Sequence, residues 1–118
     1  MVEVDAIADE LLSPMRDEGY SVQYQYTGEA AKMPAVTYYA LIDKESFRAD
    51  NMEQSSKCRV QIDVWAAKRS DMSRGSLRVN ELMQADGWHR ELSRDMPKET
   101  EQQVYHRTMR YAKEIWEV

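Results

Sequence analysis

Residues 57 to 67, KCRVQIDVWAA, alternate with a period of two. Cys58, Val60, Ile62, Val64 and Ala66 fall on one side, and Lys57, Arg59, Gln61, Asp63 and Trp65 on the other. Successive side chains of a strand point to opposite faces, so this stretch predicts a strand with one apolar and one mostly polar face. Such a strand belongs in a sheet that is covered on one side only. The polar side carries a misfit, the large indole of Trp65.

The remaining segments fit around that strand. Val4, Ile7, Ala8, Leu11, Leu12 and Met15 form one helical stripe, and Pro14 and Gly19 limit it. YSVQYQY predicts a strand with Tyr20, Val22, Tyr24 and Tyr26 on one face. AVTYYALID, after Pro34, predicts a second strand with both faces partly covered. Residues 43 to 56 are polar and weakly patterned, and read as a mobile inter-strand loop.

After the opening strand, Ser70 or Asp71 is the expected cap of a second helix. Its stripe is Met72, Val79, Leu82 and Met83; Gly87 ends it, and Gly75 weakens its first turns. WHREL predicts a short strand and SRDMPKETE a turn or loop. QQVYHRTMRYA is the last strand, with Tyr105, Met109 and Tyr111 on one face and Val104, His106, Thr108 and Arg110 on the other. Residues 113 to 118, KEIWEV, carry no clear assignment.

The expected order is α-β-β-β-α-β-β in a single domain over residues 1 to 118. The expected fold is α+β, with both helices on one face of a largely antiparallel sheet of four to five strands. The second face, with Arg59, Gln61, Asp63 and Trp65, is left to water or a partner.

Composition bounds the function. One cysteine, Cys58, allows no intrachain disulfide, and it lies on the apolar strand face as a small hydrophobe. No apolar run reaches the roughly 20 residues of a membrane helix, so the reading is cytosolic, with no membrane contact. Net charge is −5, divided as −7 over residues 1 to 56 and +2 over residues 57 to 118. That balance disfavours duplex nucleic acid, although Lys68, Arg69, Arg74 and Arg78 are close in sequence.

The residues that carry chemistry are sparse. His89 and His106 lack an acid, a Cys or a second His at ligand spacing. No Gly-rich phosphate loop or calcium loop is present. The expectation is no catalytic residue, no metal and no cofactor: not an enzyme. Three tryptophans and seven tyrosines are instead the residue types enriched where proteins meet proteins.

Three stretches carry a resemblance: RVQIDVWA running straight into a helix, LMQADGWHR at that helix's end, and the closing strand YHRTMRY. With MPAVTYYALID before them, they resemble the tail completion proteins of long-tailed bacteriophages, also called tail terminator or tail-to-head joining proteins. The likeness covers roughly residues 34 to 112. The N-terminal helix fits by order alone, and KEIWEV departs from the pattern.

The resemblance implies a structural protein without an active site. It implies a ring, usually of six subunits, that caps the finished tail tube and docks it to the head connector. Its partners would be copies of itself, the tail tube protein and a head completion protein, with DNA only passing through the lumen. It would work in the host cytoplasm during assembly and in the virion neck afterwards. Arg59, Gln61, Asp63 and Trp65 are then the expected protein contact surface. The alternative is a small ligand-binding or regulatory α+β domain, although ferredoxin-like modules run βαββαβ. A third class, an enzyme built by tertiary approach of His89 or His106, predicts a pocket with perturbed titratable groups.

Overall fold

The structure, a computed structural model, describes residues 3–25, 33–41, 55–97 and 104–116. Two helices open the chain, α1 (Val4–Leu12) and the single turn α2 (Pro14–Asp17). Pro14 explains the break between them: it has no N–H to give to a helical carbonyl, and Ser13, itself still helical at φ −56° and ψ −33°, bonds Glu10 instead. Three strands follow, β1 (Ser21–Tyr24), β2 (Ala35–Leu41) and β3 (Ser55–Ala66). Then come the long helix α3 (Arg69–Ala85) and strands β4 (His89–Met96) and β5 (Tyr105–Trp116).

The five strands make one sheet in the order β1-β2-β3-β5-β4. β1 and β2 are parallel and the other pairs antiparallel, so the α+β expectation holds. β3 and β5 are its centre, paired from Ser55↔Trp116 to Ala66↔Tyr105.

α1 and α3 cover one face. Ala8, Leu12, Met72, Val79 and Met83 of the helices meet Val36, Tyr38, Val60, Ile62, Val64, Met109 and Tyr111 of the sheet. The helix stripes and the alternate strand residues are those the periodicity selects, and Cys58 is buried among them.

Two matching corners turn the helices into strands. Gly19 and Gly87 have φ of 97° and 89°, a conformation glycine adopts without steric cost. In each corner the glycine N–H and the next N–H reach back to the last helical carbonyls. Gly19 bonds Arg16 and Tyr20 bonds Met15; Gly87 bonds Gln84 and Trp88 bonds Met83. This is the Schellman closure, and its aromatic, Tyr20 or Trp88, is buried; Tyr20 packs against α3, where its hydroxyl donates to the Asp71 carbonyl.

Four expectations need correction. β4 runs on to Met96, so Ser93 to Met96 are strand and not turn. β5 continues to Trp116, so most of the unassigned tail is central strand, with 117 and 118 outside the described residues. Of the loop read over 43 to 56, Ser55 and Ser56 belong to β3, and the remainder lies outside the described residues. The N-cap of α3 is Lys68 and not Ser70 or Asp71, because the helix starts almost directly from β3. Gly75 has a packing reason: a Cβ there would stand 2.8 Å from the Tyr20 ring.

Candidate functional site: the sheet face opposite the helices

Directly opposed residues of antiparallel strands share a face, so the registers draw the face opposite the helices as rows. One row is Ala35, Trp65, His106 and Met96. The next is Thr37, Asp63, Thr108 and Arg94, followed by Tyr39, Gln61, Arg110 and Leu92, and then Leu41, Arg59, Ala112 and His89. The structure thus brings Arg59, Gln61, Asp63 and Trp65 together on this face, as their alternation requires.

Its centre is a closed polar network. Asp63 is only 5% exposed. Its Oδ1 accepts from Thr108 Oγ1 at 2.6 Å and faces His106 Nε2 at 2.8 Å, while Oδ2 accepts from Gln61 Nε2 at 3.2 Å. Arg110 Nε donates to Gln61 Oε1 and extends the chain of bonds outward. A buried carboxylate is costly unless its lone pairs are filled, and three donors converge on this one. Among the described residues no buried side-chain nitrogen or oxygen is left without a partner.

Trp65 finds partners inside its own sheet. Its ring stacks on His106 with centroids 3.6 Å apart and planes 13° from parallel, and its Nε1 donates to Thr37 Oγ1 at 3.0 Å. The indole is half-buried, with one side against the imidazole. Arg59, also half-buried, donates to Glu91 at 3.1 Å. Glu91 sits where the β4 register shifts between Arg90 and Leu92, an extra residue in the edge strand.

Sequence reasoning missed Thr37, His106 and Thr108 as members of this group. It also found no acid beside His106, and the fold supplies one from a strand 43 residues away. The arrangement does not order itself as nucleophile, base and orienter. A carboxylate has only acceptors to offer, so Nε2 carries its hydrogen toward Asp63 and cannot take one from Thr108. Thr108 turns its own hydroxyl proton to the same carboxylate oxygen. The geometry makes Asp63 the hub that holds two side chains in place, Trp65 being held through His106.

Titratable groups elsewhere serve the fold. Asp9 accepts from Arg16 and from the Tyr38 hydroxyl at 2.5 Å, tying α1 to β2. The Arg16 bond holds the Asp9 carboxyl below its ordinary value, while burial and Asp9 push Tyr38 up. Burial lifts Tyr111 to about 12. Arg74 lies over the Tyr20 ring and Arg78 pairs with Glu18, so half of the basic cluster read in the sequence has partners within the chain. Among the described residues no group of three His, Cys, Asp or Glu stands close enough to hold a metal, and no helix is long and apolar enough to cross a membrane.

No family model matches this chain, and a search of curated proteins finds no relative.

Proposed function

We propose that the chain is a structural phage assembly protein, a ring subunit that caps the completed tail tube and joins it to the head connector. One observation carries the reading: the three stretches behind the sequence resemblance are neighbours in one unit. RVQIDVWA is β3, LMQADGWHR closes α3 at the Gly87 corner, and YHRTMRY lies in β5, paired with β3 in register. Among the described residues the sheet face on the far side of that unit has no helix layer, and it presents Trp65 with Arg59 and Arg110 around a hydrogen-bonded polar centre. A pre-organised surface of aromatic and arginine side chains suits repeated protein contacts, because little side-chain freedom is lost on association. The partners proposed are other copies, the tail tube protein and a head completion protein, with DNA crossing the lumen only.

The test is direct. Purified chain is mixed with tail tubes that lack their upper end and imaged by electron microscopy. The reading expects a ring of density at one tube end and an end to further tube growth. Tubes that stay bare and keep growing contradict it.

A further inference from the structure

Helix α3 turns a stripe of exposed side chains outward, namely Ser70, Arg74, Leu77, Glu81 and Gln84. Leu77 in its middle is 66% exposed. Arg74 stands about one turn before it and Glu81 about one turn after, some 5 Å apart along the axis. The stripe reads positive, apolar, negative.

A second surface on the same chain reads in the complementary order. Between α1 and the end of β5 lies an open cleft of about 580 Å³. Ile7, Leu11, Pro14 and Ile115 give it an apolar floor, with Glu10 on the α1 side and Lys113 beside Asp86 on the other. Among the described residues Glu10 has no ion pair. Lys113 bonds Asp86 at 3.2 Å.

We infer that the α3 stripe of one copy seats in the α1–β5 cleft of a second copy. Leu77 lies on the apolar floor, Arg74 meets Glu10, and Glu81 meets Lys113. Apolar burial supplies the attraction, and the charges fix the direction of the helix, since reversing it sets like against like. Arg74 is reachable for this, being 64% exposed at its side chain while it rests on Tyr20. Arg74 is shared with Asp71 at 3.4 Å, Glu81 with Arg78 at 3.7 Å and Lys113 with Asp86 at 3.2 Å, so each new pair forms beside an existing one. Because the two surfaces differ, the contact is heterologous, and repetition closes a ring or runs on as a filament. As the lateral contact of the ring it rests on the function proposed above; as self-association it does not.

Sedimentation of the full chain over a concentration series tests it. The wild type is expected to self-associate. Leu77→Asp is expected to keep its circular dichroism and to sediment as a monomer. Glu10→Arg and Arg74→Glu are each expected to weaken association about fivefold, the scale of one exposed ion pair, and together in one chain to restore most of it. Glu81→Lys with Lys113→Glu repeats the exchange on the other rim, away from the Arg74–Tyr20 contact. The contact is overturned by a wild type that is monomeric at every concentration. It is equally overturned by association that survives Leu77→Asp, or by paired exchanges weaker than their single changes. If the exchanges rescue association while tail tubes remain bare, the contact stands and the tail function falls.

Discussion

The two faces of the sheet are built from the same strands and solve opposite problems. Beneath the helices, Val60, Ile62 and Val64 of β3 meet Tyr111 and Met109 of β5 and the stripes of α1 and α3, a mainly apolar contact in which the hydroxyls of Tyr111 and Tyr38 reach Asn80 and Asp9 on the helices. On the other face, the same two strands present Gln61, Asp63 and Trp65 against Arg110, Thr108 and His106. The first face is held by apolar area, which is tolerant of detail. The second is held by hydrogen bonds that converge on one carboxylate, which tolerates little. Among the described residues no helix covers this second face, and side chains at its rim such as Arg110 and Met96 are exposed.

The comparison breaks most sharply on size. Ile62→Ala removes a smaller side chain than Trp65→Ala, yet it should cost more. Ile62 is fully buried, so its loss leaves a cavity and is expected to cost about 2–5 kcal/mol in denaturant unfolding. Trp65→Ala should cost about 1–2 kcal/mol, mainly the lost stack and the unpaired Thr37 hydroxyl. Equal costs would place Trp65 in the core. Gly75→Val lies between them, at about 1–3 kcal/mol, because its side chain must displace the Tyr20 ring. Thr108→Val sharpens the polar face: it keeps the shape and removes one donor from Asp63, for about 1 kcal/mol. No measurable change would mean that the hub is already satisfied by His106 and Gln61.

How much of this was legible in the sequence follows from the same contrast. The covered face announces itself through alternation in β3 and the helical stripes, since burial on one side imposes a period. β4 is exposed over almost its whole length, so nothing imposes a period, and only its first residues read as strand. The members of the polar network each sat on the correct face of their own strand. Their meeting depends on the register of β3 against β5, which no local pattern encodes. Trp65 looked misplaced for that reason: its partners, Thr37 and His106, arrive from two other strands. The corners at Gly19 and Gly87 were readable because glycine after a helical stripe has few other uses.

The smallest expected effect concerns acid. Asp9 and Asp95 are held below the ordinary carboxylate value, chiefly by hydrogen bonds from Arg16 and Arg107. Their folded pKa values are depressed, so the stability they contribute is present above the unfolded value. It is lost as pH falls through the folded one, from about pH 4 downward. Both pairs are largely exposed, and Asp9→Asn with Asp95→Asn should flatten the acid limb of a thermal-unfolding profile only slightly. An unchanged limb would show that the pairs contribute nothing.

The central proposal is that the sheet face opposite the helices makes assembly contacts beyond its part in the fold. It is tested most directly by measuring Trp65→Ala and Arg59→Glu for two quantities at once, thermal stability and the number of completed tails in a complementation assay. The account predicts that both variants stay folded and that both lose ring formation or tail attachment. A Trp65→Ala chain that does not fold, or two folded variants that complete tails at the normal number, would contradict it.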